Sequence, residues 1–135
     1  AYKASSDQAL TTATTTAIAL NGEIYDTDGV HDTASSNTKC FAPVTGVYLI
    51  TAGIRYENST VGDRLCRILF NGTTILADYQ VPPPASGDSL LAIATIYPMA
   101  ATEYVELVGY HTHGSNLNVV AEGRTFLCLA YLGQQ

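Results

Sequence analysis

The segment TFLCLAYL, Thr125–Leu132, predicts a strand that is apolar on both of its faces. Successive side chains of a strand point to opposite faces of its sheet. One face carries Phe126, Cys128, Ala130 and Leu132, and the other carries Leu127, Leu129 and Tyr131. The strands of a sheet that buries one face and exposes the other to solvent alternate apolar and polar residues instead. This strand therefore needs an apolar cover on both sides.

The segment YVELVGY, Tyr104–Tyr110, shows nearly the same pattern, with Glu106 as its polar residue. No amphipathic helix is evident in the sequence to cover the second face. Either the strands are central and loops lie over that face, or another copy of the chain covers it. We favour the homo-oligomer. The residues expected at its interface are Tyr104, Val108, Tyr110, Leu127, Leu129 and Tyr131.

The remaining chain also predicts strands, because Thr, Val, Ile, Tyr and Leu dominate short runs that Gly, Asn, Asp and Pro interrupt. Asn71-Gly72 predicts a two-residue hairpin, since both residues tolerate positive φ. VPPPASGD, Val81–Asp88, predicts a loop, since proline donates no ladder hydrogen bond. Strands are expected at residues 11–21, 46–56, 64–70, 73–76, 90–97, 104–112, 117–120 and 125–132. Such a series predicts an all-β antiparallel sandwich or jelly roll.

A length of 135 residues predicts one domain, which we divide into an N-terminal arm, residues 1–13, and a folded part, residues 14–135. The chain is 47% hydrophobic and 13% charged, the reverse of a disordered chain. A net charge of −6 with six scattered basic residues argues against a nucleic-acid surface. No apolar run approaches the roughly 20 residues that span a membrane. The first residues, AYKASSDQAL, lack the regions of a signal peptide.

The three cysteines, Cys40, Cys66 and Cys128, lie in apolar, strand-like surroundings and form no Cys-x-x-Cys pair. An odd, widely spaced set is not typical of a disulfide framework. We expect buried free thiols, with one disulfide and one free thiol as the alternative.

The stretch Phe41-Ala-Pro43-Val-Thr-Gly46-Val-Tyr48 resembles the Phe-x-Pro-x-x-Gly-x-Tyr signature of C1q domains, the TNF-like jelly rolls. The Asn-Gly hairpin, the strand and small-residue loop YVELVGYHTHGSNLNV and the final strand TFLCLAYLG follow in the family's order. Together with EIYDTDGVHD, the set is similar to the microbial and phage-encoded branch. The resemblance covers residues 14–133. It departs at Leu127, where the family often has glycine, and in lacking a collagen-like tract.

The resemblance implies a jelly roll of about ten strands that forms a homotrimer, and a binding protein rather than an enzyme. We therefore expect a structural virion protein: a trimeric decoration or cement protein on a bacteriophage capsid, or a short head fibre. Its partners would be itself and the major capsid protein or another virion protein. The alternative is a receptor- or glycan-binding tip domain of a phage tail fibre or bacterial surface protein, at the cell surface. No cofactor, nucleic acid or membrane partner is expected.

The stretch YDTDGVHD, Tyr25–Asp32, concentrates residue types that bind metals. Counted from Asp26, it places glycine, valine and asparagine where an EF-hand loop needs other residues, so it is not an EF-hand. A different calcium site at Asp26 and Asp28 stays open. We favour a structural turn in which the aspartates bind their own backbone and Gly29 supplies an unusual φ.

Three loops are candidates for partner contacts, because loops on a rigid sandwich commonly carry function. They are Glu57–Asp63, Val81–Asp88 and His111–Asn116, and the residues singled out in them are Asn58, Asp63, Pro83, His111 and His113. His111 and His113 share one side of a predicted strand, as a pair of metal ligands would, although loop-edge histidines in water are the simpler interpretation.

The sequence offers no catalytic constellation. There is no Gly-x-Ser-x-Gly elbow and no glycine-rich phosphate loop. Glu23, Glu103, Glu106 and Glu122 show no distinctive setting for acid–base work. We expect no enzymatic activity.

Overall fold

The computed structural model describes residues 1–134. These residues contain no helix, and hence no helix that could cross a membrane. The strands are β1 (Gln8–Leu10), β2 (Thr16–Ala17), β3 (Lys39–Phe41), β4 (Gly46–Tyr56), β5 (Arg64–Phe70), β6 (Thr74–Val81), β7 (Ser89–Met99), β8 (Tyr104–His111), β9 (Leu117–Val119) and β10 (Phe126–Gly133).

The strands form two five-stranded sheets, and every strand pair is antiparallel. The first sheet runs β1-β9-β4-β10, with β7 on the other side of β4. The second sheet runs β2-β8-β5-β6, with β3 also beside β8. The predicted all-β sandwich of about ten strands is confirmed.

The core lies between the inner faces of the two sheets. From β4, alternate residues Tyr48 to Tyr56 are almost fully buried, and Cys66, Ile68, Val105 and Leu107 face them from the second sheet. The expected strand at 46–56 is confirmed at both ends. The alternation follows from strand geometry, since only every second side chain can enter the core.

A hairpin forms at Asn71-Gly72 as expected, but its loop has three residues, 71–73, and not two. Asn71 and Gly72 both have positive φ, 48° and 74°. An asparagine and a glycine are the residues that accept this conformation at least cost.

The strand expected at residues 11–21 is mostly wrong, because only Thr16–Ala17 pairs as a strand. Ala13 has a φ of 56°, which breaks the extended backbone. Ile18 and Leu20 are nonetheless fully buried. The threonines favour an extended backbone, but this preference does not make the whole segment pair as a strand. The burial of Ile18 and Leu20 determines where the segment lies.

The division into an arm at 1–13 and a domain at 14–135 does not match the packing. Gln8–Leu10 is β1, which pairs with β9, and Leu10 is fully buried in the core. Ala1 exchanges two backbone hydrogen bonds with Leu127, and the N–H of Lys3 donates to the Thr125 carbonyl oxygen at 2.9 Å. The first residues therefore belong to the sandwich.

All three cysteines are free thiols. Cys40 and Cys66 are buried, and burial raises the pKa of each thiol to about 12, so neither is a reactive thiolate near neutral pH. Cys128 differs from the expectation because it is only half-buried, on the outer side of β10.

Candidate interaction surfaces

The outer face of the first sheet is apolar over three neighbouring strands. Its exposed residues on β7 include Leu90 and Ile96, with 59% and 60% of their surface accessible. In register across β7, β4 and β10, its rows are Pro98-Val47-Gly133, Ile96-Leu49-Ala130, Ala94-Thr51-Cys128 and Ala92-Gly53-Phe126. We call this set the apolar face. Thr51 is its only polar side chain, and most of its residues are small, so the surface is wide and shallow.

A group of charges closes one end of the apolar face. Arg55, the next outward residue of β4, donates from Nε to Asp88 at 2.7 Å and from Nη1 to Glu122 at 3.0 Å. The Asp88 carboxylate in particular raises the pKa of Arg55. The charged group marks where the apolar face stops.

The outer face of the second sheet mixes charged side chains with apolar ones such as Leu65, Leu69 and Ile75. Arg67 and Asp78 form an ion pair at 3.0 Å across β5 and β6. Glu106 accepts a hydrogen bond from the Thr38 hydroxyl at 3.0 Å, and the Lys39 ammonium lies 4.2 Å from the ring centre of Tyr104. Unlike the apolar face, this face carries charged groups on neighbouring strands, and Leu65 and Val108 on it are already buried within the chain.

The structure splits the six predicted interface residues between the two sheets. Tyr104, Val108 and Tyr110 lie on β8 in the second sheet, and Val108 is buried within the single chain. Leu127, Leu129 and Tyr131 lie on the inner side of β10. Leu127 is fully buried, and Tyr131 packs edge-to-face on Tyr48 at 5.5 Å.

Two of the six predicted interface residues are therefore wrong. Val108 and Leu127 offer no surface to another chain, since their own chain already covers them. The outward residues of β10 are the other set, Phe126, Cys128 and Ala130, in register with the outward residues of β4. The strand expected at residues 90–97 is present as β7, but the sequence analysis did not assign it to the interface, although its alternate residues Leu90, Ala92, Ala94, Ile96 and Pro98 are all apolar.

The three predicted partner loops come together at one end of the sandwich. They follow the C-terminal ends of β4, β6 and β8. The N–H of Asp63 donates to the Thr112 hydroxyl at 2.8 Å, and the Gln80 amide donates to the Asp63 carboxylate at 2.8 Å. Of the residues singled out, Asn58 is exposed, and Asp63, Pro83 and His113 are half-buried.

A buried arginine supports this loop end from inside. Arg64 is fully buried, and its guanidinium donates to the carbonyl oxygens of Ser59 at 2.9 Å and Val61 at 2.7 Å, and to that of Gly62. Burial lowers the pKa of Arg64. Three carbonyl acceptors from one loop compensate for the burial of the cation. The same hydrogen bonds fix the conformation of that loop.

His111 is not a loop-edge residue, which corrects its place among the partner contacts. It ends β8 with 0% exposure, and its Nε2 lies 3.0 Å from the Leu10 carbonyl oxygen. The N–H of His113 donates to its Nδ1 at 3.2 Å, so Nδ1 accepts and Nε2 carries the proton. Burial lowers the pKa of His111. The ring is a neutral structural group and does not face a shared ligand with His113.

The stretch YDTDGVHD forms a turn that Asp26 organises. Its two carboxylate oxygens accept the N–H groups of Val30 at 2.9 Å and His31 at 3.1 Å. Burial raises the pKa of Asp26, but the backbone donors of Asp28–His31 lower it by more. Gly29 has a φ of 66°, as a turn of this kind requires.

The carboxylates of Asp26 and Asp28, where a calcium site was the alternative, both accept hydrogen bonds within their own turn. Asp26 is engaged by its own backbone, and the carboxylate of Asp28 accepts a hydrogen bond from the neighbouring Thr27 hydroxyl at 3.0 Å. Within residues 1–134 no group of three or more His, Cys, Asp and Glu side chains is placed to hold a metal ion. The turn interpretation agrees with this geometry.

A serine–histidine contact exists but lacks the parts of a hydrolase. The Ser115 hydroxyl lies 3.1 Å from Nδ1 of His113, two residues away on an exposed loop. No carboxylate in the described part of the chain hydrogen-bonds the His113 ring. A triad needs such a group to orient the base.

A cleft of about 300 Å³ opens where β10 and β3 leave a gap between the sheets. Leu129 and Tyr48 line it from the first sheet and Cys40 from the second, and the turn 23–28 forms its rim. His31 beneath the rim is buried, and its Nδ1 lies 2.9 Å from the Glu23 carboxylate. The cleft was not predicted from the sequence.

The same arrangement of strands occurs in solved structures of C1q and TNF domains. The globular domain of zebrafish complement 1qA protein aligns with a TM-score of 0.70 at 9% identity, covering 99% of this chain and 96% of that chain. Murine APRIL at pH 5.0 aligns with a TM-score of 0.67 at 13% identity, covering 97% and 95%. The chain has the C1q/TNF-like jelly-roll fold.

A third structure, Eiger TNF from S. frugiperda, aligns with a TM-score of 0.58 at 15% identity over 72% of this chain and 66% of that chain. No family model matches the sequence, and no curated protein matches it. At these identities the likeness establishes the fold alone.

Proposed function

We propose that the protein is a non-enzymatic, homotrimeric binding protein that associates through the apolar face. The observation that carries this proposal is the contiguous surface of β7, β4 and β10, in which Thr51 is the only polar side chain. Single exposed apolar residues are normal on a monomer, whereas a contiguous sheet face of this kind marks an interaction surface. The trimeric state itself rests on the resemblance to C1q domains.

Association through this face would leave the loop end free. A trimer would then display three copies of the loops after β4, β6 and β8. Arg64 fixes the loop after β4, and the Asp63–Thr112 contact joins that loop to the one after β8. Three weak contacts made at once bind far more tightly than one. This supports attachment to a surface on which the same binding site is repeated.

We propose a bacteriophage capsid as that surface, with the protein as a decoration or cement protein, or a short head fibre, bound to the major capsid protein. This finer assignment rests on the similarity of EIYDTDGVHD and the following strands to the phage-encoded branch. The second candidate is a receptor- or glycan-binding tip domain. The clustering of three loops at one end favours it, because receptor-binding loops commonly cluster this way.

The mass of the purified protein in solution tests the assembly. Light scattering should give three times the chain mass of 14.3 kDa. A mass of one chain at micromolar concentration would contradict the proposal.

Binding to capsids that lack the protein, compared with binding to host cells, tests the role. A decoration protein should saturate the shells in multiples of three chains, and exchange of Asn58 and His113 for alanine should weaken that binding. Binding to cells or glycans with no binding to shells would favour the tip domain instead.

A further inference from the structure

The open edge of β10 continues a strand pairing that the first residues have begun. Residues 1–3 run antiparallel to 125–127, with hydrogen bonds between Ala1 and Leu127 and between Lys3 and Thr125. These bonds show that the backbone groups of Leu127 point away from β4. By the two-residue period, those of Leu129 and Tyr131 point the same way. Within residues 1–134 they have no backbone partner on that side.

The cleft lies along this open edge. Its floor is apolar, formed by Leu129, Tyr48 and Cys40, and it lies in line with residues 1–3. An extended chain placed there would pair with Leu129 and Tyr131, and every second side chain would enter the cleft. A volume of about 300 Å³ accommodates one or two medium-sized aliphatic side chains.

The rim of the cleft is acidic and bears exposed apolar residues. Glu23, Asp26 and Asp28 lie on it, and the chain as a whole carries a net charge of −6. Ile24 and Tyr25 are 86% and 73% exposed beside it. The acidic rim complements basic side chains on the solvent side of an entering strand, and Ile24 and Tyr25 are placed to pack on its apolar ones.

We propose that this edge binds an extended segment of another protein by strand addition, antiparallel to β10. The segment alternates aliphatic residues, which enter the cleft, with lysine or arginine, which face the rim. Main-chain hydrogen bonds to Leu129 and Tyr131 supply affinity, and the cleft and rim supply selectivity. The site adjoins the apolar face, since Phe126 and Cys128 belong to that face and also line the cleft, but the strand pairing needs only the edge of one chain.

The test uses a fluorescein-labelled, end-blocked peptide, Lys-Val-Lys-Val-Lys, titrated into the whole protein. Anisotropy should rise and saturate, and amide hydrogen exchange should slow at Leu129 and Tyr131. The same peptide with N-methylated valines cannot donate those hydrogen bonds and should bind at least tenfold more weakly. A peptide with glutamate in place of lysine should also bind more weakly, because the rim repels it.

Two matched variants test the rim. Asp28→Asn should weaken the lysine peptide about two- to fivefold, the range for one exposed ion pair. Asp78→Asn removes the same charge from β6, at the far edge of the other sheet, and should leave binding unchanged. Both aspartates are exposed, so neither exchange is expected to disturb folding.

Three outcomes would overturn the proposal. The first is no saturable binding. The second is equal binding of the N-methylated peptide. The third is slow exchange of Leu129 and Tyr131 in the free protein, which would mean that another copy or a preceding segment of the chain already fills the edge.

Discussion

The two sheets of the sandwich differ in where they place polar groups. On the first sheet the apolar face spans β7, β4 and β10 with Thr51 as its only polar side chain, and Arg55 with its acidic partners closes one end. The second sheet carries the Arg67–Asp78 ion pair outside and brings Arg64 and His111 into the interior. An apolar outer face of this kind is expected to be covered by another chain. A sheet that buries charge needs a fixed hydrogen-bond network, and here that network holds the loop end.

The largest expected effect comes from a charge on the apolar face. Ile96→Glu should convert the oligomer to a single chain, because an unpaired carboxylate buried at an interface costs about 3 kcal/mol or more, roughly a hundredfold in affinity. Sedimentation velocity over a concentration series measures the change.

The second sheet offers the matched control. Ile75→Glu makes the same exchange at a residue that is 50% exposed on β6, compared with 60% for Ile96. It should leave the oligomer intact. If Ile75→Glu dissociated the assembly and Ile96→Glu did not, the two outer faces would have been assigned the wrong way round.

The next effect concerns the hydroxyl of Tyr56, which joins the sheets. This buried β4 residue donates to the Leu65 carbonyl oxygen at 2.7 Å and accepts from the Tyr110 N–H at 3.1 Å. Tyr56→Phe leaves those second-sheet groups without their partner and should lower the free energy of unfolding by about 1–3 kcal/mol. Chemical denaturation measures it.

Tyr79→Phe serves as the control, since Tyr79 is half exposed on β6. Its effect should lie within about 0.5 kcal/mol of zero. Equal losses in the two variants would show that the buried hydroxyl does not join the sheets.

A smaller, pH-dependent effect is expected from His111. Its pKa is lowered in the folded protein, so the unfolded chain binds a proton first as the pH falls below about 6.5. The stability contributed by the neutral ring is complete above that pH and is lost as the pH falls toward the folded pKa, by at most about 1.4 kcal/mol per pH unit.

His111→Gln should flatten this part of the stability profile between pH 6.5 and the onset of carboxylate titration. The control, His113→Gln, should retain most of the wild-type slope, because burial, the main cause of the lowered pKa of His111, is unchanged in that variant. A slope that disappears in the control and persists in His111→Gln would assign the titration to the wrong histidine.

The sequence predicted the strands of this fold better than their faces. Gly46–Tyr56 is correct at both ends because its alternate residues bury cleanly. On β10 both sets of alternate residues are apolar, so the two-residue period separates Leu127 and Leu129 from Phe126 and Cys128 but does not identify the inner set. The register with β4 decides it, and that information lies in a distant part of the chain.

The burial of Arg64 could have been predicted from the alternation of residues along β5. Arg64 shares its side of β5 with Cys66 and Ile68, whereas Arg67 falls on the opposite side. The period therefore predicts different environments for the two arginines. The acceptors that make burial of Arg64 possible belong to the loop before it, whose conformation no local pattern specified.

The smallest expected effect is loss of the Arg67–Asp78 ion pair on the outer face of the second sheet. Both side chains are partly exposed, so water and salt screen the 3.0 Å contact. A double-mutant cycle with Arg67→Gln and Asp78→Asn should give a coupling energy below about 1 kcal/mol that decreases further in 1 M salt. Chemical denaturation of the four proteins measures it. A coupling of several kcal/mol would mean that this face is covered in solution, and the contrast between the two sheets would then fail, because both outer faces would be interfaces.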